Sequence, residues 1–216
     1  MELPLSKGST TFFVLIAIVL LWGLSSGTQS PPNSLVRLSC ASDKETSFPV
    51  FELPIPQNNA QKDYLGLTGS GKFKITQIKG PVIIIEFFST DCLSCQNSAP
   101  KLNELFLTIQ NRPDLKEKIK IIGIGVNNAG REVELFRARY KVLFPLFSDQ
   151  YDAISSKVGV KQLPTFIGVK NNDDGTMERF YCKRGKFWFW NVKRFLEKII
   201  KLSQLEIEGH YISLHN

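Results

Sequence analysis

Hydrophobic residues in this chain fall into two kinds of pattern, short unbroken runs and longer amphipathic stretches. Val82–Phe88 (VIIIEFF) and Lys120–Val126 (KIIGIGV) are apolar at nearly every position. Unbroken β-branched runs of this length are typical of strands that are buried on both faces of a sheet. Shorter extended segments are predicted at Lys72–Thr76, Pro145–Phe147, Thr165–Val169 and Thr176–Lys183.

Amphipathic stretches lie between these runs. After the first run, apolar residues that step by three and four predict a helix from Ser94 to about Gln110. Further helices are predicted at Gly130–Tyr140, at Tyr151–Lys157 and from Phe187 to about Leu205. The segment NNDDG at Asn171–Gly175 predicts a hairpin turn. Strands that alternate with helices and close on a hairpin predict an α/β fold, with a central mixed sheet covered on both faces.

The N-terminal part of the chain differs from the rest. Phe12–Leu24 are 13 consecutive uncharged positions, preceded by Lys7 and followed by the small residues Ser25 and Gly27. Because a membrane-spanning helix needs ~20 apolar residues, this layout favours an export signal, with an uncleaved membrane anchor as the alternative. The predicted order is a signal or anchor at 1–27, a flexible linker rich in Ser and Pro at 28–49, one folded domain at 50–205 and a tail at 206–216.

Composition excludes several classes of function. The chain has 216 residues, 43% of them hydrophobic, and a scattered net charge of +7 that suits an anionic membrane surface or acidic partners. It lacks the motifs of nucleic-acid-binding domains, so no nucleic-acid partner is expected. Its two His residues, His210 and His215, lie close to the C-terminus, far from a single Cys-x-x-Cys. That set does not supply the four ligands of a zinc site, and we expect neither a metal nor a cofactor.

The Cys-x-x-Cys pair, Cys92 and Cys95, follows the first buried run and opens the first predicted helix. Residues i and i+3 of a first helical turn lie on one face, close enough for a disulfide. Free N–H groups and the dipole at a helix N-terminus stabilise a thiolate. The spacing therefore predicts a redox pair in which Cys92 is the exposed, attacking sulfur and Cys95 the shielded, resolving one.

Glu86 is the only charged residue in the run VIIIEFF. A carboxyl group in a buried strand holds a raised pKa because burial disfavours the charged form. It lies six residues before Cys92, so we predict that Glu86 exchanges a proton with Cys95 during thiol chemistry. A carboxylate at the strand end, facing solvent, is the alternative.

Leu163-Pro164 stands directly before the predicted strand TFIGV. Proline at a strand start removes one ladder donor. A cis peptide bond there would leave the Leu163 backbone free to pair with an extended substrate segment, whereas a trans bond would only end a loop. The sequence pattern leaves both isomers open.

Together, these segments resemble the thioredoxin superfamily. EFFSTDCLSCQNSAP and GVKQLPTF carry the resemblance, and it extends through KFKITQIKGPVIIIEFF and FPLFSDQYDAISSKVGVKQLPTFIGV. More closely, residues 50–205 are similar to the membrane-tethered, periplasmic TlpA/ResA-like thiol–disulfide oxidoreductases, which are related to the AhpC/TSA redoxins.

The resemblance implies a thioredoxin-like fold and a set of roles. Cys92 and Cys95 would be the redox pair, Pro164 the cis-proline, and Glu86 the buried acid. It further implies protein or peptide disulfides as substrates, a membrane or periplasmic electron donor, an extracytoplasmic location and the direction of disulfide reduction. Two positions depart from the family, since Asp91 replaces its usual Trp and Ser98 the Glu of many relatives.

Two other functions fit part of the pattern. Ser89–Cys92 loosely resembles the peroxiredoxin Thr-x-x-Cys, but Ile85 stands where that motif has a proline. Alternatively, the Cys pair would be a permanent bridge in a thioredoxin-fold binding module. Of the remaining cysteines, Cys182 is expected to be a small buried hydrophobe, and the even count also permits a Cys40–Cys182 disulfide.

Overall fold

The computed structural model describes residues 46–187 and 191–207. The predicted signal or anchor, the linker up to residue 45, Cys40, both His residues and the end of the predicted tail lie outside the described residues. Among the residues that are described, no helix has the length and apolar character needed to cross a membrane.

The strands and helices follow the predicted order with some additions. The strands are β1 (Thr46–Ser47), β2 (Glu52–Pro54), β3 (Lys72–Lys74), β4 (Val82–Phe88), β5 (Ile119–Val126), β6 (Leu146–Asp149), β7 (Thr165–Asn171) and β8 (Met177–Arg184). The α-helices are α1 (Asn59–Leu65), α2 (Leu93–Gln110), α3 (Gly130–Tyr140), α4 (Ala153–Val158) and α5 (Val192–Ser203).

The main sheet has the strand order β1-β8-β7-β4-β5-β6, and β2 and β3 form a separate two-stranded sheet. Strands β4, β5 and β6 are parallel, whereas β7 runs antiparallel to β4 and β8 antiparallel to β7. This is the mixed α/β sheet that the sequence predicts. Every residue of β4 is buried, which explains why that strand lacks the alternation of a half-exposed one.

Alternation along β4 divides the core into two layers. Ile84 and Phe88 pack under α2, α3 and α5, on what we call the α2 face of the sheet. Ile83, Ile85 and Phe87 pack against residues 48–78 and α4, on the opposite or β2–β3 face. Helices α2 and α5 also contact each other across the α2 face. The sheet is therefore covered on both sides, as predicted.

The glycines of β5 make room on the α2 face. A Cβ atom on Gly125 would lie 2.8 Å from Cγ2 of Val133 in α3, and one on Gly123 would lie 2.4 Å from a methyl group of Leu146. Both glycines also face the ring of Phe88. The run KIIGIGV therefore places β-branched side chains on the β2–β3 face and glycines on the α2 face, where large neighbouring side chains approach the backbone.

Several predicted boundaries are wrong for local reasons. Strand β3 stops at Lys74 because Ile75–Gln77 form a 3₁₀ turn. Helix α4 begins only at Ala153, because the Asp149 side chain accepts hydrogen bonds from the N–H groups of Ile154 and Ser155 in its first turn, at 3.0 and 2.8 Å. Helix α5 begins only at Val192, because the Asn191 side chain caps it by accepting from the Arg194 N–H.

Candidate active site

Cys92 occupies the N-cap of α2, four residues after β4 ends at Phe88. Its backbone is extended, and its sulfur accepts a hydrogen bond from the Cys95 N–H at 3.3 Å. The Cys95 N–H also lies 2.9 Å from the Cys92 carbonyl oxygen. A thiolate on Cys92 would therefore face the free N–H end of the helix, where negative charge is favoured.

The two sulfurs differ in exposure. Both are free thiols, with Cys92 half-buried and Cys95 fully buried. The prediction that Cys92 is the more accessible sulfur is confirmed. Burial raises the pKa of the Cys95 thiol, and the hydrogen bond with Cys92 and the charge of Glu86 raise it further. Cys95 therefore stays protonated until a base removes its proton.

Glu86 lies inside the sheet. It is 3% exposed and stands opposite Gly123 of β5 and Phe166 of β7 in the strand register. Burial raises the pKa of this carboxyl group to about 8. Its Oε1 has no hydrogen-bond partner among the described residues. The alternative of a solvent-facing carboxylate is wrong, and the alternation of β4 places Glu86 on the α2 face with Cys95.

A hydrogen-bond network that the sequence did not reveal holds the loop before Cys92. The Asn128 side chain, from the loop after β5, bonds twice to Thr90, and Gln96 Nε2 donates to the Thr90 carbonyl at 2.8 Å. The sequence feature that could have indicated this network is the polar pair Asn127-Asn128, directly after the buried strand β5. Parallel strands end at one edge of a sheet, which brings this pair beside the loop that follows β4.

The Leu163–Pro164 peptide bond is cis, as the resemblance implies. In the antiparallel register Thr165 lies opposite Phe87, so Leu163 lies just beyond the end of β4, on the side where the Cys92 loop leaves the strand. Within the described part of the chain, no hydrogen bond uses the Leu163 N–H or C=O. The half-buried Leu163 thus presents backbone that an extended chain can pair with.

Ser98, at the position where many relatives carry Glu, is buried and connects two segments. Its hydroxyl oxygen accepts from the Phe187 N–H at 3.1 Å and donates to the Ser94 carbonyl at 2.7 Å. The loop that precedes α5 is therefore tied to the helix that carries the thiols. Trp188–Trp190 of that loop lie outside the described residues.

Cys182 is buried on β8, in the core of the β2–β3 face, as predicted. It is also disulfide-bonded, which the even number of cysteines permits. Of the Cys40–Cys182 pair permitted by the sequence, Cys40 lies outside the described residues. In the parts of the chain that the structure covers, no three His, Cys, Asp or Glu side chains converge on a metal site.

Comparisons with known proteins agree with this geometry. Residues 80–174 match the Thioredoxin-like family model. The chain is 30% identical to the thiol–disulfide oxidoreductase ResA of Bacillus thuringiensis strain Al Hakam, over 59% of this chain and 69% of that protein. It is 28% identical to ResA of Geobacillus thermodenitrificans, over 58% of this chain and 67% of that protein.

Solved structures share the fold. A Chlorobium tepidum protein assigned as thiol:disulfide interchange protein DsbE superimposes with a TM-score of 0.55 and 20% identity, covering 74% of this chain and 96% of that one. The thioredoxin domain of a Bacteroides vulgatus thiol–disulfide oxidoreductase gives a TM-score of 0.51 and 11% identity, covering 72% and 96%. The sheet and helices described above are therefore a thioredoxin-like fold.

Proposed function

We propose that this chain, which belongs to the ResA-like thiol–disulfide oxidoreductases of the thioredoxin superfamily, reduces protein or peptide disulfides outside the cytoplasm through Cys92 and Cys95. The observation that carries the proposal is the N-cap of α2, where the half-buried Cys92 sulfur accepts the Cys95 N–H. This arrangement stabilises a thiolate at the one sulfur of the pair that a substrate can reach.

In the first step the Cys92 thiolate attacks one sulfur of the substrate disulfide. The substrate S–S bond breaks, the other substrate sulfur leaves as a thiolate and takes a proton from water, and a mixed disulfide with Cys92 forms. The substrate chain would lie along the free backbone of Leu163, beside Pro164. Main-chain pairing of this kind suits unrelated protein sequences, because it does not read side chains.

In the second step the Cys95 sulfur attacks the Cys92 sulfur of the mixed disulfide. The Cys92–substrate bond breaks, the substrate leaves with both sulfurs reduced, and a Cys92–Cys95 disulfide remains. Because burial keeps Cys95 protonated, the step needs a base, and Glu86 supplies one whose pKa of about 8 lies near neutral pH. An external dithiol protein would then return two electrons to the pair.

Two observations support an extracytoplasmic location. Cys182 is disulfide-bonded, and such bonds persist in oxidising compartments. The apolar run Phe12–Leu24 fits an export signal or an anchor in the cytoplasmic membrane. The electron donor is accordingly proposed to act in the periplasm or from the membrane.

Cysteine variants test the proposal. Cys92→Ser is expected to abolish reduction of insulin disulfides, measured as turbidity, and Cys95→Ser is expected to accumulate mixed disulfides that survive non-reducing gels. Asn97→Ala, an exposed change in the same helix, is the matched control and should retain parental activity. Activity that survives Cys92→Ser would contradict the proposal.

Two further outcomes would favour the alternatives. A Cys92–Cys95 reduction potential below about −300 mV would indicate a permanent bridge, since exchanging pairs lie above that value. Consumption of peroxide by a variant that retains Cys92 without Cys95 would instead indicate a thiol peroxidase.

A further inference from the structure

The side-chain amide of Asn128 makes a paired contact with Thr90, two residues before Cys92. The Thr90 N–H donates to Asn128 Oδ1 at 3.0 Å, and Asn128 Nδ2 donates to Thr90 Oγ1 at 2.9 Å. Both ends of one amide thus bond to a single residue, which fixes the position and the orientation of Thr90 together.

Asn128 is itself firmly held. It is 3% exposed, and its carbonyl accepts from Ser148 Oγ of β6 at 2.5 Å. The preceding Asn127 has a left-handed backbone with φ of 57°, and its N–H donates to the Asp149 carbonyl at 3.0 Å. The amide is therefore anchored to the ends of β5 and β6 rather than to a free surface loop.

Thr90 is also held from the side of α2. Gln96 Nε2 donates to its carbonyl at 2.8 Å, so the N–H, the hydroxyl and the carbonyl of Thr90 are all bonded. The Cys92 N–H donates to the Ser89 carbonyl at 3.1 Å and closes the turn around Thr90. A shift of this turn would carry the Cys92 sulfur away from the Cys95 N–H that it accepts.

We infer that Asn128 is a positioning residue for Cys92. It keeps the sulfur at the N-terminus of α2 by fixing the loop that delivers it. An amide suits the position because it donates and accepts without placing a charge near the thiolate. This inference rests on the proposed function, since it concerns the reactivity of the same sulfur.

The test compares Asn128→Ala with Asn103→Ala. Asn103 is a matched control because its amide also ties two segments, donating to the Lys141 carbonyl at 3.0 Å and accepting from the Leu143 N–H at 3.0 Å, but it does so away from the thiols. The measurements are urea unfolding, reduction of insulin disulfides, and the rate of Cys92 alkylation by iodoacetamide from pH 5 to pH 10. The buried Cys95 and the bonded Cys182 should not compete for the reagent.

Asn128→Ala is expected to slow alkylation at pH 7 and disulfide reduction by about tenfold, because the two hydrogen bonds that fix Thr90, and through it the Cys92 loop, are lost. Its alkylation profile across pH 5 to 10 should also move to higher pH, because the Cys92 sulfur is held less firmly at the N-terminus of α2. Asn103→Ala should unfold at lower urea concentration but keep the parental profile. A merely structural role for Asn128 would change urea unfolding alone, and that result would overturn the inference.

A second variant covers the case in which Asn128→Ala does not fold. Thr90→Val keeps the shape of Thr90 and its N–H bond but removes the hydroxyl that Asn128 contacts, so a smaller shift in the same direction is expected. A parental profile for Thr90→Val would contradict the inference. If the parent itself fails to reduce insulin, the proposed function fails instead, and the two failures are thereby distinguished.

Discussion

Both faces of the central sheet are buried, but the side chains that β4 contributes to them differ in polarity. On the α2 face, Glu86, Cys95 and Ser98 are buried among apolar side chains; the first two are the proposed base and resolving thiol, and Ser98 connects two segments. On the β2–β3 face, neighbouring β4 residues such as Ile85 and Phe87 are purely apolar, and the covalent link at Cys182 is placed there.

The two faces of the sheet also hold two kinds of cysteine. Cys92 and Cys95, the proposed exchanging pair, lie where the end of a central strand meets a helix N-terminus, whereas Cys182 packs on the other side of the sheet. A thiolate at Cys92 would need access to the Cys182 sulfur to exchange with it, and the intact sheet blocks that approach. One chain can therefore hold a stable disulfide and a reactive dithiol in the same compartment.

The largest expected effect concerns Glu86. Its pKa of about 8 in the folded state lies above the ordinary value of 4.5, so the folded state holds this proton more tightly than the unfolded state does. The stability from neutral Glu86 is present in full below pH 4.5 and is lost as pH rises through 8. The free energy of unfolding should fall across this window by on the order of 4 kcal/mol, a fall that Glu86→Gln should largely remove.

Urea unfolding at pH 5 and pH 8.5 measures this effect. Glu52→Gln, an exposed change on β2, is the matched control and should follow the parent at both pH values. An equal pH dependence in the parent and in Glu86→Gln would show that the buried carboxyl group of Glu86 does not set the pH dependence of stability.

The next effect concerns Cys182. Cys182→Ala should lower the free energy of unfolding under oxidising conditions by about 3 kcal/mol, because the unfolded chain gains freedom when a disulfide is lost. Reduction of insulin disulfides should continue, since the redox pair lies on the other face. Strong reductant should remove the difference in stability between parent and variant. Loss of activity in a folded Cys182→Ala protein would contradict the idea that the disulfide and the redox pair are independent.

The smallest effect concerns Ser98. Ser98→Ala should lower the free energy of unfolding by about 1 kcal/mol, because the Phe187 N–H loses the hydroxyl acceptor that it has at 3.1 Å. Thr108→Ala is the matched control in the same helix, since Thr108 also donates to the carbonyl four residues earlier, while no other segment that the structure describes donates to its hydroxyl. Equal losses in the two variants would assign the effect to the helix alone.

Much of the fold follows from hydrophobic pattern. Val82–Phe88 and Gly130–Tyr140 have the predicted bounds, because an unbroken apolar run and a regular amphipathic period leave few alternatives. Strand β2 and helix α1 were not predicted, and β1 lies inside the segment expected to be a linker. These elements are short, and their hydrogen bonds depend on partners distant in sequence, such as Met177 for the Phe48 N–H.

The candidate site, like the fold, was predicted from the sequence only in part. The exposure of Cys92, the burial of Cys95 and the raised pKa of Glu86 follow from their places next to a buried strand and a helix start. The Thr90–Asn128 contact joins residues 38 positions apart, and only the strand order brings them together. Local pattern does not carry that information, because it depends on which strands become neighbours.

The burial of Glu86 also couples electrons to protons. Its charge raises the pKa of Cys95, and by reciprocity the charge on Cys95 must act on Glu86. When the dithiol gives up two electrons, the Cys95 proton leaves with them, and the ionised form of Glu86 is the group placed to take it. If the pair exchanges electrons as proposed, the driving force for reducing a substrate would therefore depend on pH through a buried carboxyl group as well as through the thiols.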